Sequence, residues 1–120
     1  MDISKRIAEL KQEPGFRENV GMLLVHNGVV RAWSRKDGST VGRIKVQVDQ
    51  AKAEAIRQEI EAREGIFRAV VEAKSGEFMP GDDLLFLIVA GDIRENVKPA
   101  LADLLDRIKG EAITKQELSE

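Results

Sequence analysis

The sequence predicts an α+β fold, a single domain over residues 1–120 in which a sheet packs against helices. A run of apolar or small residues from Leu84 to Ala90 is typical of a buried central strand, because it is apolar on both faces. The segment Arg43 to Val48 alternates between polar and apolar residues, the pattern of a strand with one exposed face. Helical periodicity follows each of these strands, which favours a layered sandwich of sheet and helices.

The chain is predicted to begin with a helix and a strand. Ile3, Ile7 and Leu10 lie one helical turn apart and predict a short amphipathic helix that a Pro-Gly pair ends. Val20 to His26 is a strand candidate. The Asn27-Gly28 pair that follows indicates either a hairpin turn or a glycine bulge within one long strand, and both interpretations stay open.

A polar loop and a second helix follow. Ser34 to Thr40 is basic and contains glycine, so we expect a mobile loop there. Asp49 is predicted to cap a helix that runs through Glu64 and stops at Gly65, with an ion pair between Glu59 and Arg63 on its solvent side. The apolar stripe of this helix consists of Ala53, Ile56 and Ile60.

The second half of the chain leads into and out of the central strand. Phe67 to Ala73 alternates as a further strand, and turn residues between Lys74 and Asp83 predict a tight reversal. After the central strand, apolar residues recur at helical spacing, and Gly110 stands where a C-cap glycine is expected.

The start of this last helix stays open. Asn96 as the N-cap would put Pro99 in the first turn, whereas Asp92 as the N-cap would make Pro99 kink the helix. A short tail follows the helix.

Composition narrows the function classes. The net charge of −2, with both signs mixed, argues against nucleic-acid binding driven by bulk charge. There is no cysteine, and a single histidine, His26, makes a histidine-based metal site improbable. We expect His26, inside an apolar strand, to be a satisfied core histidine. With no signal peptide and no apolar run of about 20 residues, the expected protein is soluble and cytoplasmic, without membrane contact.

Scattered cations are the main functional hint. Arg94 follows the central strand, Lys109 lies at the end of the last helix, and Lys115 follows one short segment later. Arg31, Arg35 and Lys36 surround the basic loop. Each of them alone is compatible with a solvated surface, and only their convergence would make an anion site.

The order of motifs, from about Gly21 to Glu117, resembles the large, catalytic subunit of molybdopterin synthase. The resemblance depends on the Gly28-Val29-Val30-Arg31 element, the Gly-x-x-x-x-Gly-Asp turn from Gly76 to Asp82, and a long helix closed by a lysine and a Lys-x-Glu segment. It implies a single domain of the α/β-hammerhead-like type.

The resemblance also implies roles for individual residues. Lys109 and Lys115 correspond to the two catalytic lysines of that family. The candidate substrate-binding residues are Arg31, Arg94, Glu117 and, from the basic loop, Arg35.

In the family, sulfur passes from the C-terminal thiocarboxylate of a ubiquitin-like small subunit to cyclic pyranopterin monophosphate, in molybdenum cofactor biosynthesis. No cofactor or metal is implied. The resemblance implies a homodimer of large subunits within a heterotetramer. The strand Arg43 to Val48 is expected to offer an edge for the pairing of the large subunits.

Four departures from the family pattern keep two alternatives open. Ile93 replaces a histidine, Thr114 replaces a tryptophan, Ala32-Trp33-Ser34 replaces Asn/Asp-His-Asn, and we expect no tail beyond Glu120. One alternative is a non-catalytic paralogue that acts as a binding or scaffold module. The other is a small metabolite-binding regulatory domain, which would leave the cations apart.

Overall fold

The computed structural model describes residues 1–119 and confirms the α+β class. Its elements are α1 (Ile3–Lys11), α2 (Phe16–Asn19), β1 (Met22–Val29), β2 (Arg43–Val48), α3 (Gln50–Glu61), β3 (Ile66–Ala73), β4 (Gly76–Phe78), β5 (Asp83–Gly91), α4 (Arg94–Arg107), a π-helical turn (Ile108–Ala112) and β6 (Ile113–Leu118). Of these, α2, β4, the π-helical turn and β6 are not among the predicted elements. No helix within residues 1–119 is long and apolar enough to cross a membrane.

Two antiparallel sheets organise the chain. One has the strand order β1-β5-β3 and the other the order β4-β2-β6. The predicted central strand is confirmed as β5, which is paired on both sides. From Leu84 onward the strand has no polar side chain, because each of its faces is covered by a different cluster of side chains.

The main core lies between β5 and the helices α3 and α4. Leu85, Leu87 and Val89 of β5 pack there with Ile56 of α3 and Leu104 of α4, and all five are fully buried. Burying one such side chain is worth about 1.5–3 kcal/mol relative to leaving it in water. This cluster fixes α4 against the sheet and therefore sets where the end of that helix lies.

A smaller core covers the opposite face of β5. Phe86 and Ile88 alternate with the residues of the main core, and pack with Leu10 of α1 and Val70 of β3. The predicted first helix is confirmed, and its apolar stripe provides this second cover.

The Asn27-Gly28 pair lies within one long strand. The register between β1 and β5 shifts between Gly28 and Val29. The bulge interpretation is therefore correct and the hairpin interpretation is wrong. A bulge bends a strand and re-aims the residues that follow it, which here are the residues leading to Arg31.

The bounds predicted for β2 agree with the structure, but the predicted free edge does not. Ile44 and Val46 are buried in the main core, as the alternation requires. β2 is the middle strand of its sheet, with β4 on one side and β6 on the other. Both of its edges are already paired, so no second chain can pair with it, and the homodimer itself stays a prediction.

Helix α3 is tied to α4 by ion pairs that the sequence does not reveal. Glu59 and Arg63 do not pair with each other as predicted. Arg107 Nη1 of α4 lies 2.7 Å from Glu59 Oε2, and Arg63 Nη2 lies 2.7 Å from Asp103 Oδ2. Tertiary partners outcompete the local pair because α4 brings opposite charges to each residue.

The N-cap of α3 is confirmed, and it supports a prediction about stability. Asp49 Oδ1 accepts a hydrogen bond from the Lys52 N–H at 3.0 Å, and the helix ends at Glu61 rather than Glu64. Asp49→Ala is expected to lower the free energy of unfolding by about 1 kcal/mol. Asp106→Ala, at an exposed residue of α4, is the control in chemical denaturation. An equal loss in both variants would contradict the role of the cap.

The last helix begins and ends differently from both predictions. Ile93 is the N-cap of α4, and Asp92 accepts hydrogen bonds from the Ile93 N–H and from Asn96 Nδ2. Pro99 lies inside the helix. Gly110 is not a C-cap, because the chain continues through it in the π-helical turn. Such turns are frequent at functional sites.

Candidate active site

A pocket of about 560 Å³ opens where the end of β1, the basic loop, the π-helical turn and β6 meet. It is lined by Gly28, Val29, Val30, Arg31, Arg35, Lys36, Ile44, Leu84, Lys109, Lys115 and Glu117. The aliphatic members form a floor that belongs to the core, and the polar members come from four separate segments.

The pocket is strongly cationic. Five of its lining residues carry a positive charge, whereas Glu117 is the single carboxylate. Within residues 1–119, none of the five cations forms a salt bridge. Cations held together without partners raise the local positive potential, so this arrangement favours an anionic ligand.

Arg31 lies just beyond β1, after the bulge. Its guanidinium carbon lies 4.8 Å from the centre of the Trp33 ring, a cation–π arrangement that holds the side chain without neutralising its charge. Arg31 therefore keeps its donors available for a ligand.

The basic loop is a hydrogen-bonded turn, and its mobility stays a prediction. Trp33 and Thr40 form an isolated antiparallel bridge. The Ser34 N–H donates to the Ser39 carbonyl at 2.8 Å, and the Gly38 N–H donates to the Ser34 carbonyl at 2.8 Å. This closed turn carries Arg35 and Lys36 to the pocket.

Strand β6 brings Lys115 and Glu117 to the same wall. Lys115 lies opposite Val46, and Glu117 lies opposite Ile44. Directly opposed residues of an antiparallel pair share a face, so both polar side chains are on the face of the sheet that carries the buried residues of β2. The Ser34 hydroxyl donates to Glu117 Oε1 at 3.1 Å and ties this wall to the basic loop.

Lys109 lies in the π-helical turn, opposite this wall. Partial burial, together with the charges of Lys115, Arg31 and Arg35, lowers its pKa below the ordinary value of 10.5. Lys109 is still exposed enough to exchange protons. A neutral lysine amine is a base and a nucleophile, and the lowered pKa increases the fraction of Lys109 in this neutral form.

His26 lies two residues before Gly28 on β1 and is not the satisfied histidine that the sequence predicted. Its Nε2 atom is buried without a hydrogen-bond partner within the described chain. Burial and the charge of Lys109 lower the pKa of His26, so its surroundings favour the neutral ring.

Arg94 does not join the other predicted site residues. It lies at the exposed start of α4, with Nε 3.8 Å from Glu95 Oε2. Ile93, the residue before it, is also exposed and outside the pocket. Three of the four cations chosen from the resemblance therefore converge in this chain, and the fourth does not.

Sequence reasoning missed Ser34 and the aliphatic floor of the pocket, which includes Ile44. Ser34 is buried and links the loop to β6, a role that its 83-residue separation from Glu117 hides. Ile44 was recognised only as a core residue, because the pocket floor is shared with the core. Within residues 1–119 there is no cluster of three or more His, Cys, Asp or Glu residues that could hold a metal ion.

The sequence is similar to that of one curated protein. A relative from Haloferax volcanii, described as a probable molybdopterin synthase, is 29% identical over 102 residues. The match covers 81% of this chain and 39% of the relative, so the chain spans well under half of that protein.

Solved structures share the fold. Molybdopterin cofactor biosynthesis protein E from Burkholderia multivorans superposes with a TM-score of 0.77 at 19% identity, covering 100% of this chain and 82% of that one. One chain of a complex of subunits 1 and 2 of molybdopterin-converting factor from Helicobacter pylori superposes with a TM-score of 0.72 at 17% identity, covering 99% of this chain and 80% of that one.

The family model described as MoaE protein matches residues 1–111. The matched range includes Arg31, the basic loop and Lys109, and it ends before Lys115 and Glu117. Because it spans most of the sequence and agrees with the shared fold, the chain belongs to the MoaE protein family.

Proposed function

We propose that this protein is the large subunit of a molybdopterin synthase. It would transfer sulfur from the C-terminal thiocarboxylate of a ubiquitin-like small subunit to cyclic pyranopterin monophosphate. The observation that carries this proposal is the convergence of Arg31, Lys109 and Lys115 on one cationic pocket. Both reactants are anions, and a regulatory domain without this chemistry would not need those cations together.

Arginines suit the phosphate of the pterin. A guanidinium offers a planar fork of donors that pairs with two phosphate oxygens, and it stays charged at any physiological pH. Arg31 is held over Trp33 and has no salt bridge within the described chain, and Arg35 reaches the same pocket from the loop. We assign the phosphate to these two residues.

The lysines suit the reaction centre. The thiocarboxylate sulfur attacks a carbon of the pterin and forms a carbon–sulfur bond, while the bond between that carbon and an oxygen substituent breaks and the oxygen leaves with the bonding electron pair. The bond between that sulfur and the acyl carbon then breaks when water or a lysine amine attacks the acyl carbon. Lys109, whose pKa is lowered, takes up the proton released by the attacking group. Lys115, on the facing strand, donates a proton to the sulfur as the bond between the sulfur and the acyl carbon breaks.

The partner supplies the sulfur, which agrees with a sequence that contains no cysteine. Strand β6 lies at the edge of its sheet and carries Lys115. An extended C-terminal tail can be held by main-chain hydrogen bonds along such an edge. One chain of the subunit complex from Helicobacter pylori has the same fold, which supports the proposal of a two-subunit assembly here.

The test is reconstitution with the thiocarboxylated small subunit from the same organism and with cyclic pyranopterin monophosphate. We expect binding of the small subunit at micromolar concentration and formation of the dithiolene product. The matched control is the small subunit with an ordinary C-terminal carboxylate, which should bind without giving product.

Two outcomes would overturn the proposal in different ways. Binding of the small subunit without sulfur transfer would favour the non-catalytic paralogue. Absence of binding at micromolar concentration would exclude both the enzyme and the scaffold.

A further inference from the structure

The single carboxylate of the pocket is not paired with any of the five cations around it. Glu117 and Lys115 are two residues apart on β6, and side chains at that spacing point to the same face of a strand. An unrestrained carboxylate in this position would be expected to pair with a nearby ammonium group. No such pair is formed within residues 1–119, where the hydrogen bond of Glu117 is instead to Ser34.

Ser34 connects the basic loop to strand β6 through hydrogen bonds. It is 7% exposed, and its hydroxyl donates to Glu117 Oε1 at 3.1 Å while accepting from the Lys36 N–H at 3.3 Å. Its main-chain N–H and carbonyl close the turn of the basic loop. One buried side chain therefore fixes both the loop that carries two cations and the carboxylate of the facing strand.

The position of Glu117 decides how much positive charge a ligand meets. A carboxylate that paired with Lys115 or Lys109 would neutralise one of the charges that the ligand needs, and would compete with it for donors. Held against Ser34, the same carboxylate remains in the pocket wall and leaves both ammonium groups free.

We propose that Ser34 is a positioning residue that keeps Glu117 away from the pocket lysines and so preserves the affinity of the site for anions. This inference deepens the proposed function, since the anions concerned are the phosphate and the carboxylate-like tail assigned to the same pocket.

The experiment is a titration of the full chain with inorganic phosphate, in which binding is measured by calorimetry or by NMR. Ser34→Ala is expected to weaken phosphate binding by about three- to fivefold, the range of one partly exposed ion pair. Glu117→Gln removes the competing charge and is expected to bind phosphate more tightly than the wild type. The double variant Ser34→Ala with Glu117→Gln should bind phosphate as tightly as Glu117→Gln alone, because a neutral amide at position 117 cannot neutralise the charge of a lysine.

The double variant separates this inference from a simple loosening of the loop. If Ser34→Ala weakens binding equally in both backgrounds, the hydroxyl acts only through the loop and the inference is wrong. Ser34→Thr keeps the hydroxyl that holds Glu117 and should bind phosphate as tightly as the wild type. Circular dichroism identifies variants that do not fold.

The titration also separates this inference from the proposed function. If the wild type binds phosphate and Ser34→Ala binds it equally well, the inference fails while the proposed function stands. If the wild type does not bind phosphate at all, both fail. Absence of sulfur transfer in the reconstituted system, with the phosphate pattern as expected, would overturn the proposed function alone.

Discussion

Lys115→Ala is expected to lower the rate of sulfur transfer by about 10²–10⁴-fold, the usual effect of removing a catalytic group. Lys115 lies on β6 opposite Val46, and its side chain belongs to the pocket and not to the core. Its loss should therefore leave the fold intact. Single-turnover kinetics with the thiocarboxylated small subunit measure the rate without a contribution from product release.

Two comparison variants make the result specific. Lys115→Arg keeps the positive charge, so it should still bind the small subunit, but a guanidinium cannot give up a proton and the rate should remain low. Lys45→Ala removes a lysine from the outward face of the same sheet, where it pairs with Glu77, and should change stability by less than about 0.5 kcal/mol. Near-normal transfer by Lys115→Ala would show that the Lys-x-Glu segment was assigned to the wrong residues.

The elements that the sequence predicted correctly are those with strong local patterns. β2 alternates cleanly, and β5 is an apolar run whose two faces are both buried. In both cases the burial of a residue follows from its own place in the pattern. Periodicity alone was therefore sufficient to locate the middle strand of each sheet.

The elements that were missed depend on partners far away in the chain. β6 has one half-buried residue at its start and two at its end, with an exposed polar stretch between them, and it becomes a strand because β2 pairs with it. β4 is only three residues long and exists through the other edge of β2. Neither segment carries enough apolar residues to indicate a strand by itself.

The candidate site shows the same division. Lys109 and Lys115 were selected by resemblance, and their convergence depends on the π-helical turn and on β6, neither of which was predicted. The polar composition of the basic loop indicates a loop but not its shape, which depends on the buried Ser34 and on the bridge between Trp33 and Thr40. Composition describes a segment in isolation and does not report such long-range hydrogen bonds.

Lys109 is expected to show the second large effect, with Lys109→Ala also lowering the rate of sulfur transfer by about 10²–10⁴-fold. The direction of its pH dependence follows from its surroundings. Burial and three neighbouring cations disfavour the charged ammonium, so its pKa lies below 10.5. If the neutral amine accepts the proton, the rate rises with pH and levels off above this lowered pKa, at a lower pH than for an ordinary lysine.

Removing one of the neighbouring cations should shift the pH–rate profile to higher pH. Arg35→Gln takes away a positive charge that lowers the pKa of Lys109, so the pKa rises and the rate should reach its plateau at a higher pH. Competitive acetylation with trace acetic anhydride, quantified at Lys109 by mass spectrometry, reports the neutral amine directly and without any dependence on turnover. A midpoint of acetylation that stays in place or moves to lower pH in Arg35→Gln would contradict the electrostatic coupling. If the midpoint moves upward while the pH–rate profile does not, a group other than Lys109 accepts the proton.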